Sequence, residues 1–312
     1  MHPDHQQLNA DASGWVRDGL AKMAADDPGE VAAALACFER ALAIRRQLPL
    51  DADPELRYDL AGTLLNQAAA LVRLGGGGRA SAALLAYDEA LALLRQLRVA
   101  DEPRWARRLA IAYQNRGIAR LTLRADAALT AMQDFIDAIA VLEDDACAPV
   151  PDRSALLATT WLTLADAQLH QRSEQAWRRA IGSAAVGQRL MAAAERDDPQ
   201  AAELGIRARL LCAQSTARCL AAAESPDAFD LEDVHAATDA ADDALSLIAY
   251  WERQGVAAFR PWALDLFRFG RRVYGAFQPH LLDEFVAEHL DALTVSGDPA
   301  FAESLREIAE EG

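Results

Sequence analysis

The chain is poor in the residues that do specialised chemistry. Its 312 residues include 4 cysteines, 6 histidines, 12 prolines and 17 glycines. Cys37, Cys147, Cys212 and Cys219 show no paired metal-ligand spacing, and Cys212 and Cys219 fall two helical turns apart on one face. Buried free thiols are the expectation, since unpaired cysteine behaves as a small hydrophobe. Lys22 is the sole lysine, so almost all of the 31 basic residues are arginine. The 47 acidic residues outnumber them and leave a formal charge of −16, which excludes the basic footprint of a nucleic-acid-binding surface. No apolar run approaches the roughly 18 residues of a membrane span, and Met1 to Asp11 has no apolar signal-peptide core. A cytoplasmic protein with no membrane partner is expected.

Catalytic signatures are absent as well. There is no G-x-S-x-G, no P-loop and no G-x-G-x-x-G, and the run Gly75-Gly76-Gly77-Gly78 lacks the Lys and Ser or Thr that would hold phosphate and metal. That run reads as a flexible turn. The acidic doublets Asp26-Asp27, Asp144-Asp145 and Asp242-Asp243 read as helix ends or solvated faces. His280 with Glu284, Glu288 beside His289, and His235 with Asp239 offer at most two ligands each on one helix, too few to close a metal coordination sphere. No enzyme activity, metal or cofactor is expected.

What the chain does have is helix. Hydrophobic residues make up 52% and charged ones 25%, a globular composition. The 70 alanines set against few breakers point to an all-α fold. Together with the arginine bias, they also point to a GC-rich bacterial genome. Periodicity and the prolines place helices near 12–25, 29–48, 54–74, 79–98, 102–123, 127–144, 151–171, 173–196, 198–224 and 231–254.

The helices repeat. Phe38-Glu39-Arg40-Ala41-Leu42, Tyr87-Asp88-Glu89-Ala90-Leu91 and Phe135-Ile136-Asp137-Ala138-Ile139 share an aromatic, an alanine three residues on and an aliphatic after it. Ala41, Ala90 and Ala138 are separated by 49 and 48 residues, and Ala34, Ala83 and Ala131 stand four before the aromatics. Upstream of each lies a second helix with a large and a small residue one turn apart: Trp15 and Gly19, Leu64 and Ala68, Tyr113 and Gly117, and again Trp161 and Ala165. A small residue admits a neighbouring helix closely and a large one fills the space beside it, so each unit is an antiparallel hairpin.

On these residues the chain resembles the tetratricopeptide repeat family, with Leu60 through Leu93 matching best and Gly75 at the turn. The period near 48 is similar to the lengthened repeats of kinesin light chains. The resemblance implies a right-handed α-solenoid of about five antiparallel hairpins, with residues 1–11 a disordered tail, 12–254 the repeats and 255–312 aromatic-rich capping helices. The register loosens after Trp177. The last segment carries Phe259, Phe267, Phe269, Phe277, Phe285 and Phe301 and reads as an end cap or as a partner-docking surface.

In that family the residue two before the small position is often an asparagine that holds the main chain of a bound peptide. Asn66 and Asn115 occupy it here, with Thr163 in the next unit. They either bind a peptide or bridge neighbouring repeats. Arg73, Gln114, Arg116 and Arg120 lie on the same helices and are candidates to pair with carboxylates of a partner, whereas Arg104, Arg107 and Arg108 read as a solvated face. Leu65 and Ala69 stand where chaperone-binding members have a lysine and an asparagine, which argues against that partner. The expected function is a non-catalytic adaptor or scaffold that holds a peptide segment or partner protein in a concave groove. The overall charge favours a partner with a basic surface, and a homodimer is open. The alternatives are a peptide- or small-molecule-sensing regulator and an obligate accessory subunit of an enzyme.

Overall fold

The computed structural model describes residues 3–25, 27–98, 100–123, 127–222, 231–295 and 297–310. Among them all regular structure is helical: α1 (Pro3–Met23), α2 (Pro28–Arg45), α3 (Pro54–Leu74), α4 (Gly77–Leu94), α5 (Pro103–Leu123), α6 (Ala128–Glu143), α7 (Arg153–Leu169), α8 (Glu174–Met191), α9 (Pro199–Ala222), α10 (Leu231–Arg253), α11 (Arg260–Phe277), α12 (Leu282–Thr294) and α13 (Pro299–Glu310). No helix among the described residues is long and apolar enough to cross a membrane.

Four helices begin with Asp-Pro. The Asp27, Asp53, Asp198 and Asp298 carboxylates accept hydrogen bonds from the backbone N–H groups of Gly29, Glu55, Gln200 and Ala300. Proline at the next position brings a helical φ and no orphan donor, so the pair specifies the start. The glycine run is half turn and half helix. Gly75 and Gly76 take φ of 63° and 90°, conformations that side-chain-bearing residues avoid, and α4 starts at Gly77.

The chain divides into two compact units, Met1–Arg153 and Ser154–Gly312. In the first, α1 pairs with α2, α3 with α4 and α5 with α6, and each hairpin packs on the next. Gly19 of α1 lies against the Phe38 ring of α2, and Gly117 of α5 against the Phe135 ring of α6; a Cβ on either glycine would come within 2.5 and 2.6 Å of the ring. Ala68 and Tyr87 are the equivalent pair in α3 and α4, both buried. The small residue of each sequence pair is thus the seat of the aromatic ring of the next helix.

Bonds between successive hairpins keep the same period. Asn9 donates to Asp59, Arg104 to Glu55 and Arg108 to the Tyr58 carbonyl, separations of 50, 49 and 50 residues. These bonds bear on the N-terminal segment expected to be disordered, which is helical from Pro3 onward. Its polar face is in use: Asn9 bonds Asp59 of α3, and Ser13 accepts from Arg45 of α2 at 3.0 Å. An apolar stripe is not what secures it.

In the second unit, α7 packs on α8 through Leu162 and Gly187, α8 on α9, and α9 on α10. Arg218 of α9 bonds the Leu169 carbonyl of α7, 49 residues away. The aromatic segment does not stand apart. Phe259, Phe267, Phe285 and Phe301 of the last helices share one core with Ile206 of α9 and Leu245 and Ile248 of α10. Phe285 stacks on Tyr274 at 4.7 Å and on Phe267 at 5.6 Å, and Gly270 of α11 makes room for it. All four cysteines are buried, and burial pushes the Cys212 thiol up to about 11.

Candidate binding groove of the first unit

The odd-numbered helices of the first unit line a groove of about 420 Å³. α1 gives Val16 and Leu20, α3 gives Tyr58, Asp59, Gly62, Leu65 and Asn66, and α5 gives Arg104, Arg107, Arg108 and Asn115. Arg45 reaches in from α2 and ties the floor together. Its guanidinium donates to the Asp59 carbonyl at 2.6 Å, to Ser13, to Asn9 at 3.3 Å and to the Thr63 hydroxyl, and the Asp59 carboxylate lies 3.8 Å away. Burial pushes this arginine below its usual value while Asp59 opposes the shift. A buried cation with most of its donors satisfied fixes α1 against α3.

The three arginines that α5 gives to the groove differ in how they are held. Arg104 bonds Glu55 at 2.6 Å. Arg107 makes a forked bond to Asp152, at 2.8 and 2.5 Å, which raises the guanidinium and holds the carboxyl below its ordinary 3.8. Arg108 has no carboxylate within ion-pair distance among the described residues. Its Nη1 donates to the Tyr58 carbonyl at 2.8 Å, and its plane lies 3.5 Å from the centre of the Tyr58 ring. It crosses α3 over Gly62, where a Cβ would come within 2.6 Å of Nη1. Burial pushes its guanidinium down, and the nearby Arg45 and Arg104 charges add to that against Tyr58 and Asp59. A half-desolvated cation crowded by two others favours an incoming anion, because each unit of negative charge relieves the repulsion and replaces lost hydration.

Asn66 and Asn115 both line this groove, half-buried, and among the described residues neither side chain is hydrogen-bonded within the chain. They do not bridge neighbouring repeats. Each amide has a donor and an acceptor to offer, as an extended main chain requires.

The other sequence candidates lie elsewhere. Arg73 donates to the Met23 and Ala25 carbonyls at 2.5 and 3.2 Å, closing the end of α1. Arg116 is buried, with Nη2 2.5 Å from Asp134 and Nη1 2.6 Å from Asp88. Arg120 joins the same Asp134 at 2.7 Å. Gln114 is buried on another side of α5 and does not line the groove. The three arginines are engaged within the chain because α6 carries a carboxylate, Asp134, on its buried face, and because α1 ends with open carbonyls. In the second unit, Thr163 spends its hydroxyl on the Thr159 carbonyl, and His289 is buried against Asp242 at 3.0 Å, not beside His280.

Sequence reasoning passed over Arg45, Tyr58 and Gly62, and it read Arg104, Arg107 and Arg108 as a solvated face where each is held by a neighbouring segment. One signal was present: Gly62 interrupts a strong helix-forming stretch, and a glycine there marks a close approach. No family model matches the chain, and no curated protein matches it either.

Proposed function

We propose that the chain is an α-solenoid of the tetratricopeptide type, working in the cytoplasm without chemistry of its own, and that the groove of α1, α3 and α5 holds an extended acidic segment of a partner protein. The observation that carries this reading is Arg108, a guanidinium with no carboxylate partner among the described residues, in the same groove as two amides that those residues leave without hydrogen bonds. Asn66 and Asn115 would hold the segment's main chain, and Arg108 would take a carboxylate. Support for the solenoid comes from the ring-on-glycine hairpins and from inter-hairpin bonds at one period. The net charge of −16 favours basic partners at long range, but at contact distance the lining decides.

The test is fluorescence anisotropy with labelled decapeptides rich in Asp and Glu, against a set in which Lys replaces them. Acidic peptides should bind in preference, more weakly at high salt. Asn66→Ala with Asn115→Ala should weaken binding roughly tenfold, and Arg108→Gln at least as much, with the helical circular dichroism unchanged. Equal binding of both sets would remove the acidic partner, and unchanged affinity in the double variant would remove the groove.

A further inference from the structure

The second unit has a groove of opposite character. It runs between α9 and α11, has a volume of about 590 Å³ and is lined mainly by carbon, a size that encloses small molecules. Ala213, Ala217 and Ala221 of α9, four residues apart, leave the furrow unfilled, while Leu220, Phe269 and Phe277 stand along it only partly covered. Such a surface gains free energy when hydrocarbon displaces its water.

The polar groups of this groove are few and their charge is unbalanced. Asp265 and Arg268 lie 3.7 Å apart on α11. Arg272, one turn further along the same helix, is exposed, and among the described residues it has no carboxylate within ion-pair distance. Arg272 thus leaves a positive charge at the edge of an apolar furrow, with the Gln214 amide in the opposite wall. A neutral hydrocarbon would leave that charge unused, a cationic amphiphile would meet it unfavourably, and a polyanion would find one unpaired arginine and walls of carbon.

We propose that this groove binds an apolar monocarboxylic acid, its hydrocarbon tail along the alanine floor and its carboxylate on Arg272. The ligand class is a fatty or other long apolar acid.

The experiment is isothermal titration calorimetry of the full chain with decanoate, decanol and decylammonium, all below their micelle concentrations. Decanoate should bind once per chain, decanol roughly tenfold more weakly, and decylammonium without saturation. Ala217→Trp, which fills the furrow, should abolish decanoate binding, and Arg272→Gln should bring decanoate down to the level of decanol. Should Ala217→Trp lower the melting temperature, Ala221→Trp at the exposed end of the groove replaces it. Three results would overturn the proposal: no saturable decanoate binding, decanoate binding that survives the tryptophan, or decanol binding as tightly as decanoate. The first of these, found together with an acidic amphipathic peptide that Ala217→Trp displaces, would make the furrow a seat for a partner helix instead.

Discussion

The two units use one packing device and put different chemistry beside it. In the first, glycines under Phe38 and Phe135 recur with the repeat, and the groove is polar, lined by arginine and asparagine. In the second, Gly270 lies under Phe285 in the same way but outside any repeat, and the groove is apolar. Close approach of a ring to a bare backbone is therefore a general means of helix packing here, and periodicity is a separate property laid over it in the first unit. What a groove can bind follows from the positions the packing leaves free, not from the device itself.

The largest test of that equivalence is to remove the rings. Phe135→Ala and Phe285→Ala both delete a fully or nearly fully buried ring and should each cost about 3–5 kcal/mol in urea denaturation. A difference of more than about 2 kcal/mol between them would mean that the second unit collapses around the gap as the first does not, and that the two cores are packed to different standards.

A smaller effect comes from the other partner of each pair. Gly117→Ala and Gly270→Ala push a Cβ into a buried ring and should lose about 1–3 kcal/mol by overpacking. Gly182 of α8 is the control, since a Cβ there meets nothing within 4 Å. Gly182→Ala should raise stability by about 0.5–1 kcal/mol through helix propensity alone. Thermal melts of the three variants settle whether contact or propensity governs each site.

The smallest expected effect is the response to acid. Asp152 in the first unit is held down chiefly by its bond to Arg107, and Asp298 in the second chiefly by the Phe301 backbone N–H, with Arg260 helping. For both, the folded-state pKa lies below the unfolded value of about 3.8. Each contribution is therefore present above that value and is lost as pH falls through the lower folded one. Both groups are well exposed, so solvent screening keeps the effect small. Asp152→Asn and Asp298→Asn should each flatten the loss of stability on acidification, measured as the urea midpoint between pH 5 and 3.

How much of this could be read from the sequence depends on the distance over which a cause acts. Helix starts were legible because Asp-Pro is a local signal, and α3 begins and ends where proline and Gly75 put it. The hairpins were legible because ring and small residue recur at one period. The first turns of α1, before residue 12, were not, because their anchor Asn9 bonds Asp59, 50 residues away, and leaves no apolar rhythm. Within the site, Asn66 and Asn115 came from register. Arg116 and Arg120 were misjudged because their partner, Asp134, lies on a different helix, although a carboxylate just before the buried Phe135 was a sign that a cation must reach it. Gly62 marked a close approach, but that Arg108 makes it appears only when α3 and α5 are side by side.

The stacking of Arg108 on Tyr58, 3.5 Å from the ring centre, has a magnetic consequence. Protons held over the face of an aromatic ring are shielded by its circulating electrons, so the end of the Arg108 side chain resonates upfield of the arginines that lie away from any ring. An anion that draws the guanidinium off the ring returns it to ordinary field, and the groove reports its own occupancy with no label attached.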